Sequence, residues 1–179
     1  MNKNFDEQLF EAARTGNDEE VRRLIPLSNT KNNEALNAAI HHHHAACVEL
    51  LLPVSDLSDP DEINSMLLWA VESIDLASVK LLIPVCNPKR NKSYPLQVAV
   101  LRDYTDIVNV LFDASEPREA LENLQKSFPK GHNRGGGVIE DRVAQFQKRV
   151  ERFESEQQRE VLTTEINSDN NPVKNKQKM

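Results

Sequence analysis

LFEAARTGNDEEVRRLI, residues 9–25, sets apolar side chains at Leu9, Ala12 and Ala13, and again at Val21, Leu24 and Ile25, with Gly16 between the two sets. Spacings of three and four put each set on one face of a short helix, so the segment reads as two successive helices, each with one buried stripe. Asn17 stands three residues before Glu20, the spacing of a capping residue and the first turn it closes. The segment is therefore a helical hairpin, and a single hairpin cannot bury both stripes by itself.

Working outward, the same pattern recurs. With Leu9, Leu36, Leu67 and Leu96 as anchors, an alanine follows three residues later in every copy, as Ala12, Ala39, Ala70 and Ala99. Ala13, Ile40, Val71 and Val100 come next. Val21, Val48, Val79 and Val108 fall at offset twelve, Leu24, Leu51, Leu82 and Leu111 at fifteen, and Ile25, Leu52, Ile83 and Phe112 at sixteen. Pro26, Pro53 and Pro84 share an offset that Asp113 breaks, and Ser28, Ser55, Cys86 and Ser115 lie two residues further on. No copy needs an internal gap; the anchor spacings of 27, 31 and 29 place every insertion between repeats. Alanine at offset three lets neighbouring helices approach closely. The proline column ends each second helix, because a residue without an amide hydrogen cannot extend it.

Leucine, the alanine pair, glycine, valine and paired apolar residues at these offsets resemble the helical core of the ankyrin-repeat family over about residues 4–116. Pro95-Leu96 resembles the family's threonine-proline-leucine-histidine turn, with Tyr94 and Gln97 in place of the threonine and histidine. The turn glycine survives only as Gly16, being His43, Ile74 and Asp103 elsewhere, and each repeat is shorter than the usual 33 or so residues. The resemblance implies an all-α, ankyrin-type helical-hairpin solenoid of about four repeats, its β-hairpins trimmed to plain loops. A tetratricopeptide or HEAT-type array is the alternative, and fits less well for want of long helices and their aromatic signatures.

The expected organisation is repeats over 1–116, a helical extension over 117–166 and a disordered polar tail over 167–179. EPREALENLQKSF, residues 116–128, reads as one more amphipathic helix opened by Pro117, with Leu121, Leu124 and Phe128 on a face. After a glycine-rich loop, Ile139, Val143, Phe146, Val150 and Phe153 recur at spacings of four and three, the seam of a helix that packs on another helix. Two heptads are short for a coiled coil, so the helix is expected to fold back on a monomer; self-association through Ile139 to Phe153 is the alternative.

Composition narrows the function classes. A formal net charge of -6, from 28 acidic and 22 basic residues, disfavours nucleic acid or an anionic membrane as the main partner. The first residues lack the apolar core of a secretory signal, so a cytoplasmic location is expected. Cys47 and Cys86 form no close pair and read as ordinary thiols. His41 to His44 invite a metal reading, yet on one helix only His41 and His44 would point the same way, and no acidic or cysteine ligand has a fitting spacing. Arg134 with Gly135 to Gly137 lacks the strand and the lysine-hydroxyl pair of a phosphate loop. Trp69 is expected to pack on the neighbouring repeat. No catalytic constellation, metal site or cofactor is expected.

What the resemblance implies is a non-catalytic interaction module, an adaptor or inhibitor. Its partner would be a protein of unknown identity, bound through the concave face by first-helix residues just beyond the alanine pair. By offset these are Arg14 and Thr15, His41 and His42, Glu72 and Ser73, and Leu101 and Arg102. The alternative is a bacterial effector secreted into the host-cell cytosol to bind a host protein, since short ankyrin-like repeats and an asparagine- and lysine-rich composition resemble such proteins. Glu151, Glu154, Glu156 and Glu160 would suit its acidic translocation signal or, more simply, a solvated helix face.

Overall fold

A computed structural model describes residues 3–129 and 137–169. Among these residues the chain is all-helical, without strands. The first pair is α1 (Lys3–Thr15) and α2 (Asp18–Leu24), the second α3 (Glu34–His41) and α4 (Ala45–Leu51). The third is α5 (Pro60–Glu72) and α6 (Leu76–Leu82), the fourth α7 (Arg90–Arg102) and α8 (Thr105–Phe112). α9 (Pro117–Ser127) and α10 (Val138–Asp169) follow them. Odd-numbered helices pack on the next odd-numbered helix from α1 to α9, and α2, α4, α6 and α8 pack likewise in series. The anchor leucines, the alanine pair column and the valine and leucine columns of the second helices are all buried in one continuous core.

The turn inside each of the four pairs has one geometry. Gly16, His43, Ile74 and Asp103 all take positive φ, between 60° and 75°. The amide after each of them closes the helix by donating to the alanine carbonyl at offset three: Asn17 to Ala12, His44 to Ala39, Asp75 to Ala70 and Tyr104 to Ala99, each at 2.9 Å. This is the six-residue closure of a left-handed helix end. Glycine takes that conformation freely, whereas a β-branched residue such as Ile74 does so at a cost of about 1–2 kcal/mol. At Gly16 the lack of a side chain serves a second purpose, because a Cβ there would lie 2.5 Å from the His44 ring.

A second repeated contact joins the two ends of each unit. The amide at offset twenty donates to a side-chain oxygen three residues before the anchor in all four copies. Asn29 donates to Asp6 at 2.7 Å, Asp56 to Asn33 at 2.9 Å, Asn87 to Asn64 at 3.1 Å and Glu116 to Ser93 at 2.9 Å. Closed in this way, the units are 6–29, 33–56, 64–87 and 93–116, equal in length, and the uneven anchor spacing belongs to the linkers 30–32, 57–63 and 88–92. No linker carries a β-hairpin. The last one ends in a left-handed turn, Asn91 to Ser93, which presents the Ser93 hydroxyl to Glu116.

α10 returns antiparallel to α9. Val143, Phe146 and Val150 are buried, and Phe146 and Phe153 set their edges on the Phe112 ring, with centroids 6.0 and 5.2 Å away. Arg118 pairs with Glu154, and Gln125 donates to Gln147. The seam from Ile139 to Phe153 is thus occupied within the chain. From Ser155 to Ile166 every residue is exposed, Val161, Leu162 and Ile166 included. The helix continues to Asp169; the rest of the polar tail, and the glycine-rich loop up to Gly136, lie outside the described residues.

Candidate functional site

The eight residues marked by offset all lie at or just beyond the C-terminal ends of the first helices, because the left-handed residue at offset seven ends each helix at offset five or six. Arg14 and Thr15 are exposed; Arg14 forms an ion pair with Glu11 at 2.8 Å, and the Thr15 hydroxyl donates to the Glu11 carbonyl at 2.8 Å. That guanidinium holds the Glu11 carboxyl below its ordinary range. Glu72 is exposed and Ser73 caps α5. Arg102 is exposed, but Leu101 is half-covered, and its carbonyl accepts from Arg142 of α10 at 2.5 Å. The fourth copy is therefore shared with the extension.

The histidines do not lie on one helix. α3 ends at His41, His42 caps it, His43 takes the left-handed turn and His44 opens α4. His43 thus stands at the turn where the repeat columns set it, with His41 and His44 on either side of it. His41 stacks on Trp69 of the next pair, centroids 4.5 Å apart, while His42 and His44 lie parallel at 6.3 Å. The His44 ring crosses to the preceding pair, where Nε2 lies 3.0 Å from the Arg14 carbonyl. A carbonyl only accepts, so that nitrogen carries the proton. Arg142 repeats this contact at Leu101: in both places a side chain from the next pair satisfies the carbonyl at offset five.

Among the described residues no three histidine, cysteine or acidic side chains are grouped to hold a metal ion. Burial raises both thiols, that of Cys86 to about 11, so neither is a thiolate near neutral pH. No described helix is long and apolar enough to cross a membrane.

Two features escape the sequence reading. One is the polar column Asp6, Asn33, Asn64 and Ser93, whose signal is a short polar acceptor three residues before each anchor. The other is a cleft of about 210 Å³ between the α7–α8 turn and α10, lined by Val100, Thr105, Val108, Arg142, Phe146 and Arg149 among others. Its two walls are some forty residues apart in the chain, so no local pattern announces it.

No protein-family model and no curated protein matches this sequence.

Proposed function

We propose that the chain is a degenerate ankyrin-type solenoid that works as a non-catalytic protein-binding module, docking a folded partner along the strip Arg14, Thr15, His41, His42, Glu72, Ser73, Leu101 and Arg102. One observation carries the reading. The turn backbone is the same in four copies, while the side chains it presents are basic, imidazole, acidic and, in the fourth copy, a half-covered leucine beside an exposed arginine. Packing constrains the inward columns; a partner's shape is the constraint that gives outward columns a meaning. The resemblance of the helical core to ankyrin repeats points the same way. Delivery into a host cell would change where such a module acts and not how, and a translocation assay of the intact chain reads it separately.

The test replaces Arg14, His42, Glu72 and Arg102 together with alanine. These side chains are exposed, so each change should stay within about 0.5 kcal/mol of neutral for folding. A partner captured by the intact chain and identified by mass spectrometry should lose several kcal/mol of affinity for the quadruple variant. Full retention, with unchanged helicity by circular dichroism, would remove the strip from the interface.

A further inference from the structure

The cleft between the α7–α8 turn and α10 combines an apolar floor with a cationic wall. Val100, Val108 and Phe146 form the floor, all buried or nearly so. Arg142 and Arg149 stand two helical turns apart on α10 and line one side; Thr105, the first residue of α8, and Gln145 offer a hydroxyl and an amide at the mouth. The two guanidiniums are anchored by neutral groups. Arg142 donates to the Leu101 carbonyl, and Arg149 donates to Asn109 Oδ1 at 2.6 Å while lying 4.3 Å above the Phe112 ring. Asp103 reaches Arg142 only, at 3.9 Å. No carboxylate lies within ion-pair distance of Arg149 among the described residues, although burial lowers its pKa, with Asp113 opposing from further away. A partly desolvated charge without a counter-ion is a cost that an incoming anion would remove.

We propose that this cleft is a recognition pocket for a carboxylate side chain, flanked by an aliphatic residue, on a peptide segment of the partner protein. The carboxylate would sit between Arg149, Arg142 and Thr105, and the aliphatic neighbour on Val108 and Phe146. Three observations fix the occupant. At about 210 Å³ the space is below the range of about 300–1,000 Å³ that small-molecule ligands occupy, and suits one or two side chains. Asp103 on the rim repels a dianion more strongly than a single carboxylate, which argues against a phosphorylated residue. The chain's own tail, NPVKNKQKM, is basic and would be repelled by two arginines. The proposal rests on the protein-binding reading only in taking the occupant to be a peptide, and it shares no residue with the four strip substitutions.

The probes are N-acetyl-Leu-Glu-Leu-amide and its glutamine isostere, titrated into the full-length chain with amide and arginine Nε resonances observed by NMR. The glutamate peptide should shift Thr105, Gln145, Phe146 and Arg149 saturably, bind about tenfold tighter than the isostere, and weaken as salt is added. Arg149→Gln should remove most of that preference. Gln145→Glu, an exposed change that leaves the fold intact, should also weaken the glutamate peptide about tenfold. Equal binding of both peptides, no shifts at the cleft, or unchanged affinity in Gln145→Glu would each overturn the proposal. So would a concentration-dependent dimer of the unliganded chain that Arg149→Gln dissolves, since the carboxylate would then come from a second copy. Loss of peptide binding in the strip variant alone would implicate the strip and not the cleft.

Discussion

The four units from Asp6 to Glu116 and the α9–α10 pair that follows are both antiparallel helical arrangements, yet they are held by different kinds of bond. Each unit is closed by contacts addressed to the backbone: an alanine carbonyl at the turn and a side-chain oxygen that takes the amide at offset twenty. Any short polar acceptor serves, so aspartate, asparagine and serine replace one another. The α9–α10 pair shows no equivalent clamp among the described residues. Arg118 pairs with Glu154 and Gln125 with Gln147 across it, while Phe146 and Phe153 set α10 on Phe112 of α8 and Arg142 reaches the Leu101 carbonyl of α7. Backbone-addressed contacts tolerate drift in sequence, whereas side-chain pairs depend on both residues being kept. That is why four different residues can stand at the turn and three kinds of residue at the clamp.

The largest expected effect tests the extension. Phe146→Glu sets a charge on a buried ring position, and loss of a packed phenylalanine alone costs about 3–5 kcal/mol. The helix should undock, with hydrogen exchange rising from Ile139 to Phe153 while the amides of α1 to α4 stay protected. Equal deprotection along the whole chain would instead mean that the two regions are one cooperative unit.

Asn33→Ala sharpens the other side of the comparison. Asn33 is buried, accepts from the Asp56 amide and donates to the Asp56 carbonyl and to Glu62. Removing it strands these groups and should cost about 1–3 kcal/mol in urea unfolding. Asn33→Asp keeps the acceptor for the Asp56 amide but sets a buried carboxylate oxygen against the Asp56 carbonyl and Glu62, so it should not recover the loss. A neutral alanine variant would show the clamp to be incidental.

The smallest effect has the opposite sign. Ile74 is exposed and has positive φ, so Ile74→Gly relieves strain and loses little packing. The gain should be near 1 kcal/mol, offset in part by the greater freedom of glycine in the unfolded chain. Gly16→Ala should destabilise, because the same conformation there also meets the His44 ring. A melting midpoint lowered by Ile74→Gly would indicate that the turn geometry is held by something other than the backbone closure.

Most of the helix pattern was legible in the sequence, since apolar columns at offsets zero, three, four, twelve and fifteen report directly on what is buried. The cap at Asn17 was legible too, accepting from the amide of Glu20 three residues on. The repeat columns also set His43 at the turn, where it stops α3 by taking the conformation that Gly16 takes without strain. The offset-five strip could be marked by position, but that Leu101 would be partly covered by Arg142 could not.

By itself the sequence determined the number of helical pairs, the stripe each helix buries and the residues left outside, because these follow from local spacing and the cost of wetting apolar surface. Only the tertiary structure decided that residues as different as His43, Ile74 and Asp103 take one backbone conformation, that Asp6, Asn33, Asn64 and Ser93 do one task, and that Arg142 and Arg149 face the α7–α8 turn. Those outcomes depend on directional hydrogen bonds and on partners 23 to 41 residues away, which the spacing of apolar residues along the chain does not record.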